Sequence, residues 1–223
     1  SGQYRVYHAR HCIKKEVLHM KVIFNESGTK ENLMRAFAGE CQARHRYYFA
    51  ALTAQEQNLV GLERMFRFTA EQEERHAKQF YELLKEATGT EVNITADYPV
   101  NVYTELQKLL DAAAKNENSE SSEIYPRFAQ IAAQEGYPEI QQKFSMIAKI
   151  EDSHNRRFEY YAKLMREGML FRSESTEQSW LCLNCGHIHT GSEPPQHCPV
   201  CGAAQGYFIR EEEAPFTSPC IIR

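Results

Sequence analysis

Two short motifs of the same form, Glu-x-x-His, occur at Glu73 and His76 and again at Glu151 and His154. In both motifs the residues seven positions before and after the Glu are phenylalanines, so a carboxylate and an imidazole interrupt the apolar stripe of a predicted helix. Carboxylate and imidazole groups are donors that bind iron and other transition metals. The two motifs therefore predict a metal site inside a helical core.

Three further carboxylates, Glu40, Glu117 and Glu120, lie on the apolar stripes of two other predicted helices. A single Glu on such a stripe is more often part of an ion pair, but here five carboxylates converge from four helices. Burying one unpaired ion costs several kcal/mol, and no matching Lys or Arg lies on these stripes. Two divalent cations would nearly balance the charge. One Glu from each of two helices plus Glu-x-x-His from the other two is typical of di-iron or di-manganese bundles.

Two C-x-x-C pairs near the C-terminus form a second candidate site, with Cys182 and Cys185 in the first pair and Cys198 and Cys201 in the second. Four thiolates at this spacing predict a tetrahedral site for zinc or for one iron ion. A zinc ribbon is the more common interpretation of such a unit on its own. Next to a di-iron bundle we favour iron, because reductive chemistry needs a supply of electrons.

Four long periodic segments must position these side chains. We predict helices at about 29–57, 61–87, 104–135 and 138–167, with a kink in the third helix at Pro126. Only the connection between the second and third helices is long, as in an antiparallel four-helix bundle with one crossover. The predicted units are a bundle at 20–170, a polar linker at 171–179, a cysteine unit at 180–212 and a tail at 213–223. The polar linker is expected to hold the cysteine unit on a tether, not packed on its own bundle.

The composition sets limits on the class of protein. The chain has 223 residues, 42% hydrophobic and 25% charged, with a net charge of -4, which favours a soluble globular protein with no nucleic-acid or membrane partner. Residues 1–19 lack the apolar core of a secretory signal, and they are either a leader or an added segment, since Met20 is also a possible start. Seven unevenly spaced cysteines favour a reducing compartment.

Several stretches resemble, in order, the motifs of the rubrerythrin family: ENLMRAFAGECQARHRYYF, TAEQEERHAKQF, ENSESSEIYPRFAQIAAQEGY and IAKIEDSHNRRFEYY. WLCLNCGHIHTG with CPVCGA is similar to the rubredoxin-like tail of that family. The resemblance covers about residues 20–212. One minor departure is Cys41, where a small Ser is common. The implied fold is an all-α ferritin-like four-helix bundle with one long crossover, followed by a small rubredoxin-like metal-binding domain.

The resemblance implies two iron centres. The ligands of the di-iron carboxylate centre would be Glu40, Glu73, His76, Glu117, Glu120, Glu151 and His154. The ligands of the mononuclear iron would be Cys182, Cys185, Cys198 and Cys201. It also implies that one iron moves between Glu120 and His76 as its oxidation state changes, so these two are the expected catalytic residues. Tyr47 and Tyr125 either hydrogen-bond to metal-bound carboxylates or are core aromatics.

The implied activity is reduction of hydrogen peroxide to water, as a defence against oxidative stress in the cytoplasm. Electrons would come from NAD(P)H through a reductase or rubredoxin and pass through the iron-tetrathiolate centre. The resemblance implies a homodimer in which the tail of one subunit serves the di-iron site of the other. One alternative is a ferritin-like ferroxidase that handles iron, which has no need of the cysteine unit. The other is a non-enzymatic zinc-ribbon protein, which leaves five buried carboxylates unexplained.

Overall fold

The computed structural model describes residues 21–215. The predicted leader at 1–19 and residues 216–223 of the predicted tail lie outside the described residues. Five α-helices form the bundle, and their bounds are α1 Gly28–Glu56, α2 Val60–Leu83, α3 Leu106–Ser119, α4 Tyr125–Gln134 and α5 Pro138–Arg166. Helices α3 and α4 follow one another directly and form one long helical segment, here called a rod, as do α1, α2 and α5 each by itself. The five helices therefore form four rods, and the predicted fold class is confirmed. No helix within 21–215 is long and apolar enough to cross a membrane.

Helices α1 and α2 form an antiparallel hairpin. The tight connection between them turns at Asn58, whose φ of 57° lies in the left-handed region. The start of α1 is capped twice: the Ser27 side chain accepts a hydrogen bond from the Lys30 backbone N–H, and the Glu135 carboxylate accepts one from the Thr29 N–H at 2.8 Å. Such caps satisfy N–H groups that have no partner inside the helix. They also join the start of α1 to the end of α4.

The third rod is interrupted at Glu120, which differs from the predicted kink at Pro126. A π-helical turn spans Glu120–Ile124, and the Tyr125 N–H bonds to the Glu120 carbonyl oxygen. Pro126 then lies in the first turn of α4, where its missing N–H costs nothing. The turn absorbs an extra residue, so Tyr125 is buried and the preceding Ile124 is only partly buried.

Helix α5 packs along both α3 and α4, and α1 packs along α2. Two aromatic clusters stack inside the bundle, one on each side of the level of the carboxylates. The Phe66 and Phe158 ring centroids are 5.6 Å apart, and those of Phe80 and Phe144 are 5.0 Å apart. All four rings are fully buried. The polar level between them is therefore closed off from water above and below by apolar layers.

The cysteine unit is a three-stranded antiparallel sheet of order β2-β1-β3, with β1 at Ser179–Cys182, β2 at Ile188–Thr190 and β3 at Phe208–Arg210. Its small core contains Trp180 and Phe208 together with Cys182 and Cys198. The indole N–H of Trp180 donates to the Gly191 carbonyl oxygen at 2.8 Å. With so few buried side chains, a bound metal is needed to hold such a unit together.

The cysteine unit packs on its own bundle, so the expectation of a free tether was wrong. A Cβ at Gly61 of α2 would lie 2.6 Å from a methyl carbon of Ile209, so the strand comes as close as a glycine permits. The Tyr160 hydroxyl donates to Glu213 at 2.5 Å and the Tyr161 hydroxyl donates to the same carboxylate at 3.1 Å. These contacts join residues far apart in the sequence, which the polarity of a linker does not reveal.

Candidate metal centres

Four rods bring six of the seven predicted di-iron ligands into two groups that overlap. Within each group the potential ligand atoms all lie within 4.8 Å of one another. The first group is Glu40, Glu73, His76 and Glu151, and the second is Glu73, Glu117, Glu151 and His154. All six side chains are buried. Glu73 and Glu151 belong to both groups, which is the arrangement expected of carboxylates that bridge two cations.

The two shared carboxylates each present one oxygen to each imidazole. His76 Nδ1 lies 3.0 Å from Glu73 Oε2 and 2.9 Å from Glu151 Oε1. His154 Nδ1 lies 2.9 Å from Glu73 Oε1 and 2.8 Å from Glu151 Oε2. The two rings are nearly parallel, with centroids 5.6 Å apart. Glu40 lies on the His76 side, at 3.8 Å, and Glu117 lies on the His154 side, at 3.6 Å.

Several of these buried atoms converge without forming hydrogen bonds. They are Glu40 Oε2, Glu73 Oε1, Glu117 Oε2, both Glu151 oxygens and His154 Nδ1. Buried polar atoms are normally satisfied, and a group of unsatisfied acceptors that face one another indicates a cation. Carboxylate oxygens with two imidazole nitrogens suit iron or manganese. The donor set therefore fits the di-iron centre that the sequence predicts.

Burial and mutual repulsion strongly perturb the ionisation of the cluster. Burial raises the pKa of Glu40 and of Glu117 well above the usual value, and neighbouring carboxylates raise both further. Burial also opposes the charge on Glu73, but the two histidines that face it outweigh burial and lower its pKa to about 2. The carboxylates around His154 overcome the effect of burial and raise its pKa to about 12. Without a cation, protons must balance this charge.

Glu120 is the predicted ligand that the structure does not bring into either group. It begins the π-helical turn, is only partly buried, and lines a cavity of about 340 Å³ beneath the crossover segment. Arg46 and Tyr98 line the same cavity. Burial raises the pKa of Glu120 well above the usual value, and the charges of Glu117 and Glu40 add to the effect. Glu120 therefore lies beside the cluster, at the wall of a cavity.

Two buried tyrosines contact the outer carboxylates. The Tyr47 hydroxyl donates a hydrogen bond to Glu117, and the Tyr125 hydroxyl donates one to Glu40. Each hydroxyl leaves the other oxygen of its carboxylate without a hydrogen bond, directed into the cluster. Of the two interpretations open from the sequence, contact with the carboxylates is the one observed. Such contacts orient ligands and adjust their basicity.

The four cysteines of the C-terminal unit also meet within 4.8 Å. The Sγ atoms of Cys182 and Cys201 are 3.8 Å apart, and those of Cys185 and Cys198 are 3.6 Å apart. All four are free thiols, and no disulfide joins them. Cys185 and Cys201 are exposed and the other two are buried, so one edge of this site faces solvent. The four-cysteine geometry fits a mononuclear iron site.

Sequence reasoning missed two residues at the di-iron site. Gln72 Oε1 lies 3.1 Å from His154 Nε2 and also accepts a hydrogen bond from Arg157 at 3.1 Å. The available signal was their position in the sequence. Gln72 precedes the predicted ligand Glu73, and Arg157 lies three residues after His154, on the same side of α5. Their polar type alone favours a solvated helix face.

The geometry defines a class of protein: a ferritin-like carboxylate bundle joined to a rubredoxin-like unit. The family profile described as Rubrerythrin matches residues 31–162, and the profile of the rubrerythrin rubredoxin-like domain matches residues 180–209. The rubrerythrin of Clostridium perfringens is 45% identical over 181 residues, which cover 81% of this chain and 92% of that protein. The rubrerythrin of Nitratidesulfovibrio vulgaris is 38% identical and covers 82% and 93%.

The chain belongs to the rubrerythrin family. Its fold is similar to that of nigerythrin in the mixed-valent state, with a TM-score of 0.55 and 26% identity over 93% of this chain and all of that one. The bacterioferritin of Desulfovibrio desulfuricans shares the fold at a TM-score of 0.57 and 22% identity, over 63% of this chain and 81% of that one. The protein therefore has a di-iron site and a rubredoxin-like iron site, which is consistent with an oxidoreductase.

Proposed function

We propose that the protein is a non-haem di-iron peroxidase that reduces hydrogen peroxide to water in defence against oxidative stress. Each turnover consumes one peroxide molecule, two electrons and two protons, and releases two water molecules. The four cysteines of the C-terminal unit would hold an iron ion that relays the electrons. The proposed sites are the seven carboxylate and histidine residues of the bundle and the four cysteines of the C-terminal unit, with Glu120 and His76 as the catalytic pair.

The observation that carries the proposal is the position of Glu120 beside the cluster, outside both groups. Six residues already form two complete four-residue groups, so a seventh carboxylate beside them is surplus unless ligands exchange. Glu117 and Glu120 are three residues apart on one rod and line the same side of it. A simple ferroxidase needs no such residue and has no use for a four-cysteine centre on the same chain. Both features fit a site that is re-reduced after each peroxide.

The chain's own residues would hold and protonate the substrate. Iron would supply the two electrons when bound, and the two overlapping groups would hold it. Apolar layers above and below exclude bulk water, so protons must arrive on side chains. Glu120 lines the cavity beside the cluster and, when free of metal, can carry a proton to the reacting oxygen. Tyr47 and Tyr125 hold Glu117 and Glu40 in their orientations.

The geometry of one chain favours electron transfer between subunits. The cysteine unit contacts its own bundle at Gly61, while Glu73 lies more than three turns further along α2, about 18 Å at 1.5 Å per residue. A second copy can bring the exposed edge at Cys185 and Cys201 nearer to the cluster. We therefore propose a homodimer in the cytoplasm, reduced by rubredoxin or by an NAD(P)H-dependent reductase.

The proposal is tested by separating the two iron centres. Replacing Cys198 and Cys201 by Ser should abolish steady-state peroxide reduction with a rubredoxin-type donor. The chemically pre-reduced variant should still consume one peroxide per di-iron site and release no oxygen. Loss of that single turnover in a folded, iron-loaded variant would argue against the proposal. Pre-reduced protein that reacts faster with oxygen than with peroxide would favour the ferroxidase alternative.

A further inference from the structure

The two histidines of the cluster differ in how they are anchored. Both present Nδ1 to the shared carboxylates. The other ring nitrogen of His154, Nε2, lies 3.1 Å from Gln72 Oε1. No hydrogen bond from His76 Nε2 to another side chain or to the backbone is found within residues 21–215. One imidazole therefore has a partner at the nitrogen that faces away from the shared carboxylates, and the other has none there.

Arg157 determines which way the Gln72 amide faces. Its NH1 donates to Gln72 Oε1 at 3.1 Å and to Thr69 Oγ1 at 2.9 Å. A guanidinium can only donate hydrogen bonds, so the amide atom that faces it must be the oxygen. The guanidinium is held in turn by the Phe68 ring, whose centroid is 5.1 Å from its central carbon, and by Thr69, which donates to a carbonyl oxygen one turn earlier.

The fixed amide then determines the tautomer of His154. Because Gln72 Oε1 can only accept, the ring nitrogen beside it must carry the proton. A neutral imidazole protonated at Nε2 has its lone pair on Nδ1, the nitrogen that faces Glu73 and Glu151. A hydrogen-bond partner at the second nitrogen also fixes the ring plane. Arg157, Gln72 and His154 therefore form a chain of contacts in which each orients the next.

We infer that Gln72 and Arg157 are positioning residues that lock His154 as a permanent Nδ1 ligand, while His76 remains the ligand that can leave. The inference rests on the proposed function only for the exchange at His76. It predicts that the His154 half of the cluster stays rigid throughout the reaction cycle. Removing the acceptor at residue 72 should convert a rigid ligand into a second mobile one.

The test compares Gln72→Leu, which removes the acceptor, with Gln72→Glu, which keeps it. Gln79→Leu is a matched control, because Gln79 lies on the same helix and accepts a hydrogen bond from Lys143 outside the cluster. The zinc-loaded full-length protein is diamagnetic, so long-range proton–nitrogen NMR reports the tautomer of each histidine. Titration with Zn²⁺, after the four-cysteine site is filled, reports the affinity of the cluster.

Gln72→Leu should weaken binding of one zinc ion by about tenfold to 100-fold and remove the fixed Nε2–H signal of His154. Gln72→Glu should restore both, and Gln79→Leu should change neither. An unchanged His154 tautomer and affinity in Gln72→Leu would overturn the inference, as would equal losses in Gln79→Leu. These readouts do not involve peroxide, so failure of the peroxidase proposal would show separately as a wild-type protein that does not reduce it.

Discussion

Gly206 of the cysteine unit lies so close to Asn58, in the turn between α1 and α2, that an added Cβ would be 1.8 Å from the Asn58 carbonyl oxygen. Backbone meets backbone here, so no side-chain rotation can relieve a clash. The unit is thus fitted against the end of its own bundle by a contact that only glycine allows.

Gly206→Ala should therefore displace the cysteine unit from the bundle and break the hydrogen bonds of Tyr160 and Tyr161 to Glu213. We expect cleavage by trypsin at Arg172, in the linker, to accelerate on the order of tenfold, since a docked segment opens less often. Gly61→Ala is the graded control, because the added Cβ would clash with a side-chain methyl carbon of Ile209 and not with backbone. Equal cleavage rates in wild type and Gly206→Ala would contradict the docked arrangement.

Bound metal should oppose the effect of pH on the stability of the protein. In the metal-free protein burial and neighbouring carboxylates raise the pKa of Glu40 and of Glu117, and carboxylate partners raise that of His154 to about 12 against the effect of burial. The folded state then binds more protons than the unfolded chain above about pH 4.5, so its stability falls as pH rises. Metal ligation requires deprotonated groups, so stabilisation by metal grows with pH.

Thermal unfolding measured between about pH 5 and pH 9, with chelator and with Mn²⁺, checks this opposing effect. The melting temperature in chelator should fall as pH rises, and the increase in melting temperature that Mn²⁺ produces should become larger. A variant with Glu40→Gln and Glu117→Gln should flatten the metal-free curve, because two of the perturbed groups are gone. Parallel curves for the metal-free and loaded wild type would contradict the assigned cluster.

Glu120→Ala tests ligand exchange directly. The variant should still bind two iron ions, because the six residues of the two groups remain, but its pre-reduced form should react with peroxide at least about tenfold more slowly. The reaction with oxygen should change less. Glu123→Ala, an exposed carboxylate in the same π-helical turn, is the control. Stopped-flow kinetics equal to the wild type, with two bound irons, would remove Glu120 from the mechanism.

Tyr125→Phe should destabilise the folded protein but still allow the cluster to bind metal. The variant leaves a fully buried Glu40 oxygen without its donor, a loss of about 1–3 kcal/mol in the free energy of unfolding. Urea unfolding of the metal-loaded protein measures this loss. Tyr81→Phe is the control, since Tyr81 is 60% exposed and its hydroxyl contacts no ligand. A change in the free energy of unfolding below about 0.5 kcal/mol in Tyr125→Phe is within the range of neutral surface substitutions. It would mean that the hydrogen bond does not contribute to stability.

Mixing two inactive chains tests transfer between subunits. Cys182→Ala disables the electron entry site of one chain, and Glu73→Ala removes a shared carboxylate of the other. A heterodimer retains one intact site of each kind, on different chains, so peroxide reduction should recover in part if electrons cross the interface. Mixing each variant with itself is the control. No recovery in heterodimers isolated by two affinity tags would contradict transfer between subunits.

The sequence reveals the cluster because ligand type and helical period agree. Glu73 and Glu151 interrupt stripes of phenylalanine, and the cost of burying their charges leaves a cation as the physical solution. Helix ends were predicted to within a few residues for α1 and α5, since cap, Gly and Pro signals are local. The four-cysteine metal site was predicted for the same reason, because the spacing within each C-x-x-C pair is local.

Features that depend on distant contacts did not emerge from the sequence. The π-helical turn at Glu120 has no period of its own, and the nearby Pro126 suggested a different point of interruption. Docking of the cysteine unit depends on the lack of a side chain at Gly206, far from Asn58 in the chain. The orienting role of Gln72 needs Arg157 from another helix, and neither residue differs in type from a solvated surface residue.

The π-helical turn also lets one segment of the chain carry one residue more than a regular α-helix could hold in the same alignment. At about 100° per residue, the eight steps from Glu117 to Tyr125 on a regular α-helix would leave the two side chains about 80° apart. The turn absorbs one step, which brings them back to within about 20°, so both Glu117 and Tyr125 reach the buried cluster. Inserting one further residue between them would rotate one of the pair out of the core by about 100°. Deleting one, such as the exposed Ser122, would leave seven regular steps and keep the two side chains aligned. Insertions in the exposed crossover carry no such penalty, so natural insertions should concentrate there and not between Glu117 and Tyr125.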